Sequence, residues 1–141
     1  ISGITLFNRF YSPDFDLETL KATSWHVLSN PGDLALSLRW IGIMAGRVEC
    51  DLSASTGIHD GNALIKQLLA GAGTVQIASA LYKHGNGHIT RMLNDLKDWM
   101  KNHEFSSLDE FRGKLNQANV KDPASYERVQ FMKHFRHFIK P

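Results

Sequence analysis

The segment from Val48 to Gly85 constrains the fold more than any other. A strand-like run ends in Ser55, Thr56 and Gly57, a short helical pattern follows, and a second strand-like run ends in Ala78, Ser79 and Ala80. Two strand-to-helix turns so close together predict a parallel α/β arrangement, because parallel neighbours need a crossover between them. Each turn is built from small residues, which let backbone N–H groups approach a phosphate. The pair is therefore a cofactor-binding signal, although small residues also serve tight turns that bind nothing.

The flanking pattern extends the same architecture. Along Val48 to Ala54, Val48, Cys50 and Leu52 alternate with Glu49, Asp51 and Ser53. A strand covered on both faces is continuously apolar, so one face here is expected to meet polar groups, water or a barrel lumen. Leu64, Ile65, Leu68 and Leu69 mark a helix from about Gly61 to Leu69, and Thr74 to Ile77 reads as the next strand. Upstream, Gly3 to Phe7 is a short apolar run, and Ser12, Pro13 and Asp14 supply turn chemistry. Leu17 to Leu28 is ambiguous: Asp16 suits the cap of a helical turn, whereas Thr23 to Leu28 suits a strand. Leu34, Leu38, Ile41 and Ala45 predict a helix over Asp33 to Ala45. Downstream, Ile89, Met92, Leu93, Leu96 and Met100 predict a long helix. Ser107 and Glu110 have capping-box spacing for another, and Tyr126, Val129, Met132 and Phe135 for a last amphipathic one.

Three strands alternating with helices argue a parallel sheet with right-handed crossovers. Three parallel strands neither close a barrel nor bury both faces. The expectation is thus a piece of a (β/α)-barrel, with phosphate-type turns on its last two strands, where barrels commonly place them. Such a piece has unpaired strand edges, which favour association with a missing portion or a second copy.

Composition narrows the function classes. A length of 141 residues fits one domain, and a net charge of +2 is too small to imply a nucleic-acid partner. Arg39 and Arg47 interrupt the most apolar stretch, Leu34 to Cys50, so no membrane span is expected. The lone Cys50 argues against a disulfide scaffold, suits a cytoplasmic setting and reads as a packing residue in its strand. His84 and His88 are separated by Gly85, Asn86 and Gly87, which break any shared helix, so no metal site is expected. The basic, aromatic ending Lys133 to Lys140 reads as a solvated helix end rather than a binding patch. The chain opens on Ile1 rather than Met, and part of the protein is expected to precede it.

Three stretches carry a family resemblance: Leu6 to Phe10, Ser53 to Ile58, and Val75 to Gly85. Together they resemble the carboxyl-terminal part of class 1 dihydroorotate dehydrogenase-like proteins, which are FMN-dependent TIM barrels. The resemblance runs to about Leu115 and implies strands 6 to 8 with their helices, incomplete alone. Residues 1–115 would then form an FMN-phosphate-binding segment and 116–141 a helical extension. Carried over by position, Ser55, Thr56 and Gly57 match the turn that holds the FMN phosphate and ribityl end. Ala78 and Ser79 match a Gly and Thr pair contacting the same phosphate, and Asn8 matches an Asn facing the pyrimidine substrate. Gly32 matches a glycine of the loop leading to the sixth helix.

The departures from that family are informative. It usually has two glycines at Thr56 and Gly57, a glycine at Ala78, and Ser or Thr at Arg9. An arginine at that place suits a substrate carboxylate, or pairs with Asp51 or Glu49 as a structural plug. The family's active-site base and flavin-side lysine come from earlier strands, so no catalytic residue is assigned to this chain. Cys50 is not that base. The implied function is part of an FMN oxidoreductase that oxidises dihydroorotate in pyrimidine biosynthesis, inactive when isolated. The alternative is a non-catalytic phosphate-ligand binder or self-assembling half-barrel.

Overall fold

The computed structural model describes residues 1–9, 12–24 and 27–127. Its centre is a three-stranded sheet in the order β1 (Gly3–Leu6), β4 (Asp51–Ser55), β5 (Thr74–Gln76). Both pairings are parallel, with Leu6 opposite Ala54 and Ala54 opposite Val75. The predicted parallel α/β arrangement is therefore present among the described residues. A separate antiparallel hairpin joins β2 (Pro13–Asp16) to β3 (Lys21–Ser24).

The helices are α1 (Leu34–Met44), α2 (Gly61–Ala70), α3 (Ser79–His84) and α4 (Gly87–Asn102). Asp60 starts α2 by accepting a 2.7 Å hydrogen bond from the Ala63 N–H, satisfying a donor that the helix cannot. Gly71 ends it at φ +115°, in the left-handed region where a side chain is strained. With α1 and α2 on one side of the sheet, Leu6, Leu52, Ala54 and Ile41 form a common core. A second cluster joins Ile65 and Leu68 of α2 to Leu96 of α4 and to Phe111. Here Trp99 meets Phe111 edge-on with ring centroids 5.0 Å apart.

Some local expectations are corrected. The strand begins at Asp51 rather than Val48, and Cys50 stands half-buried just ahead of it. The segment containing Pro13 and Asp14 is a strand because the hairpin is exposed, where proline and aspartate cost least. Asp16 caps the hairpin turn, not a helix, by accepting from the Glu18 and Thr19 N–H groups. Downstream of it the strand is Lys21–Ser24, and of the expected Thr23 to Leu28 run Val27 and Leu28 form a bend while Trp25 and His26 lie outside the described residues. Residues Ser79 and Ala80 do not end a strand, which stops at Gln76, but open α3. Glu110 does bond back to Ser106 and Ser107, yet only a 3-10 turn, Leu108–Glu110, follows. Tyr126 closes a 3-10 turn, Pro123–Tyr126, while Val129, Met132 and Phe135 of the expected last helix lie outside the described residues.

Candidate functional site

All three parallel strands end on the same rim of the sheet, so the segments Phe7 to Arg9, Ser55 to Gly57 and Ile77 to Ser79 are neighbours. Between them lies a cleft of about 340 Å³. It brings together seven of the eight sequence-predicted residues: Asn8, Arg9, Ser55, Thr56, Gly57, Ala78 and Ser79. The eighth, Gly32, does not line it. Gly32 sits in the 3-10 turn Pro31–Asp33, beside Asn30 and Asp33, which line an adjoining cleft of about 270 Å³. That second cleft shares Asn8, Arg9, Ser55 and Thr56 with the first.

The rim is cross-linked. Thr56 donates its hydroxyl to the Phe7 carbonyl at 2.9 Å, tying the loop after β4 to the loop after β1. This residue has φ +78°, a conformation that glycine adopts more readily, in keeping with the glycine usual in the resembling family. Gly57 is needed for another reason. A β-carbon there would lie 2.1 Å from the Leu34 nitrogen, so the start of α1 seats directly on this glycine. Its smallness therefore serves packing, whatever the cleft binds.

Arg9 places Nε 3.6 Å from Asp33 Oδ2, an ion pair that corrects the expected partners Asp51 and Glu49. Those two carboxylates stand at the start of β4 or before it, whereas Arg9 follows the end of β1, and Asp51 pairs with Gly3 at the opposite rim. Asn8 accepts the Arg9 backbone N–H on Oδ1 at 3.0 Å, which leaves its NH2 end as a donor.

Sequence reasoning missed a polar group beside Ser79, whose Ser29 lines the main cleft as well. Ser29 donates its N–H to Ser79 Oγ at 2.9 Å, and its own Oγ lies 3.0 Å from His59 Nε2. Lys83 donates to the Ser29 carbonyl at 2.9 Å, and His88 Nε2 donates to the His59 carbonyl at 2.7 Å. Burial and the nearby Lys83 ammonium hold the His59 imidazole below its usual pKa, which favours its neutral form. No local pattern announces these contacts, since Ser29 and His59 are 30 residues apart.

The lining of the main cleft has one cation, Arg9, several hydroxyls and, among the described residues, no carboxylate. That donor set suits an anion. At the opening of α3 the Leu81 and Tyr82 N–H groups donate to the Ala78 carbonyl, and N–H groups ahead of these have no acceptor within a helix. Among the described residues there is no group of three or more potential metal ligands, and no helix is long and apolar enough to cross a membrane.

Comparison with known proteins gives this rim a context. No family model matches the chain. It is 40% identical over 62 residues to the chloroplastic dihydropyrimidine dehydrogenase (NADP(+)) of Arabidopsis thaliana, a stretch covering 44% of the chain and 15% of that protein. It is also 40% identical over 70 residues to the dihydroorotate dehydrogenase (fumarate) of Saccharomyces bayanus, covering 50% of the chain and 22% of that protein. The homologues of this chain are dihydroorotate and dihydropyrimidine dehydrogenases. The matched stretches thus span about a fifth of the length of these curated relatives, as expected of a resemblance to one part of the enzyme. Among solved structures, DHODH of Eimeria tenella in complex with ferulenol superposes with a TM-score of 0.65 at 18% identity, over 80% of the chain and 31% of that structure. This likeness bears on fold: the α/β arrangement is that of part of a TIM-barrel-family protein.

Proposed function

We propose that this chain is the phosphate-holding part of an FMN-dependent oxidoreductase similar to dihydroorotate dehydrogenase, comprising about strands 6 to 8 of its barrel. One observation carries the reading. Seven residues named from sequence converge on a single cleft whose lining, among the described residues, offers hydroxyls and the Arg9 guanidinium, paired to Asp33 of the adjoining cleft, and no carboxylate of its own. In this reading residues 1–115 hold the site and 116–141 extend it, in a cytoplasmic protein.

FMN fits the donor set through its phosphate. Main-chain N–H groups of Ser55 to Gly57 and of Ala78 to Ser79, with the Ser79 hydroxyl, would hold that phosphate, and small side chains leave the approach open. When bound, FMN supplies the two-electron redox chemistry, while the protein supplies position and electrostatics. Asn8, at the end of β1, would donate to a pyrimidine-like substrate. Arg9 would meet a substrate carboxylate, held ready by Asp33 from behind. Gly32 would act only through the turn that presents Asn30 and Asp33.

Catalysis itself is assigned to residues outside this chain, so the isolated chain is expected to be inactive. Among the described residues β1 and β5 are each paired on one side only, and these edges would meet the rest of the barrel or a second copy. The reading is tested by the colour of the purified intact protein. Flavin absorbance that survives desalting is the expected result, and a colourless protein that takes up no added FMN overturns it.

A further inference from the structure

Ser29 is placed unusually for a loop residue. It is 6% exposed, although it belongs to the connection that brings the chain back from the exposed hairpin. All three of its polar groups are engaged, two by α3 and one by the loop ahead of α2. Its N–H goes to Ser79 at the mouth of α3, its hydroxyl to His59 ahead of α2, and its carbonyl to Lys83 in the last turn of α3. His59 is itself 8% exposed, with its carbonyl taken by His88 of α4. Such complete satisfaction fixes Ser29 in one place, because losing any partner would strand a buried polar group.

The consequence falls on Ser79. A serine hydroxyl has one proton to give and two lone pairs to fill. Ser29 fills one lone pair with its N–H, which anchors the Ser79 oxygen and leaves it a proton and one lone pair, and accepting one bond strengthens the donation of the next. Ser79 lines the cleft, where an anion would take that proton as a hydrogen bond. A phosphate offers only acceptors in its dianionic form, so a hydroxyl whose donation is strengthened by the bond it accepts favours it.

We propose that Ser29 is a positioning residue for the Ser79 hydroxyl, held by His59 and Lys83, and that this support sets how strongly the cleft prefers a ligand bearing a phosphate. The proposal rests on the phosphate reading above. Ser29 lines the cleft beside Ser79 and His59 does not, so the first consequence is that His59 acts on the ligand through Ser29 and Ser79.

The test compares binding of FMN with binding of riboflavin, which lacks the phosphate, by flavin fluorescence in the intact protein. Ser79→Ala is expected to lower the FMN-over-riboflavin preference about 10-fold, as loss of one hydrogen bond to a charged group does. His59→Ala should lower it roughly 3-fold with riboflavin affinity unchanged, and the double variant should be no worse than Ser79→Ala alone. His59→Gln, which keeps a donor and an acceptor for the Ser29 hydroxyl, should restore most of the preference. Lys83→Met, at an exposed position that tolerates change, should lower it roughly 2-fold by freeing the Ser29 carbonyl. Additive losses, an equal loss of riboflavin affinity, or no recovery in His59→Gln would overturn the positioning role. If the parent prefers FMN but Ser79→Ala does not alter that preference, the phosphate reading stands and this proposal falls. If the parent shows no preference, both fall.

Discussion

On one face of the central sheet Leu6, Leu52 and Ala54 are 8%, 4% and 0% exposed beneath α1 and α2. On the other face, Gln76 of β5 donates through Nε2 to Thr5 of β1 at 3.2 Å and to Ser53 of β4 at 3.1 Å. The two sets of residues alternate along the same strands, one position apart. The apolar face holds the strands against the helices and so fixes where they end. The polar face is open to whatever lies beyond it, and the site occupies the rim between the two.

The sharpest way to break that contrast is to put the same charge on each face. Leu52→Asp puts a carboxylate into the apolar cluster beneath α1, and a penalty of several kcal/mol is expected, enough to unfold a domain of ordinary stability. Thr5→Asp, one residue from the register partner of Leu52 and exposed, should cost less than about 1 kcal/mol, the worth of its bond to Gln76. Thermal or urea unfolding of the pair reads the difference. Equal destabilisation would mean that the polar face is covered.

Gly57→Ala tests where the two regions join. The new methyl would meet the backbone of Leu34 and Asp33 at a residue with φ +78°, so both strain and overlap oppose it. A loss of roughly 2–4 kcal/mol is expected, read as a lowered urea midpoint with unchanged slope. A neutral result would show that α1 does not seat on this turn.

How much of this was legible beforehand follows from the range of the interactions. Alternation of Val48, Cys50 and Leu52 with Glu49, Asp51 and Ser53 and the helical spacing of Leu34, Leu38 and Ile41 are local signals; the helix is found where expected, and the strand starts three residues later, at Asp51. The residues of the rim were legible through resemblance, because strand ends and turns keep their order in the chain. The hairpin was not, since Pro13 and Asp14 are poor strand formers whose pairing with Ser24 and Thr23 is decided by the partner strand. The same holds for the Arg9 pairing with Asp33 and the Ser29 pairing with His59. Those contacts depend on tertiary placement, and no periodicity encodes them.

The smallest expected effect lies at Thr56 and asks why this chain has threonine where its family resemblance has glycine. Two terms oppose each other. Holding a β-branched residue at φ +78° costs about 1–2 kcal/mol relative to glycine. The hydroxyl returns about 1 kcal/mol through its bond to the Phe7 carbonyl, which joins the loops after β4 and β1. Glycine also regains conformational freedom in the unfolded chain, which takes back up to ~1 kcal/mol of the relief. Thr56→Gly is therefore expected to leave stability within about 1 kcal/mol of the parent, measured by thermal melting. Its effect should appear instead in the rim: with the tether gone, amide hydrogen exchange of Phe7 to Arg9 should quicken while that of the apolar face stays slow. A large loss of stability would show that the tether, rather than the core beneath it, holds the strand ends together.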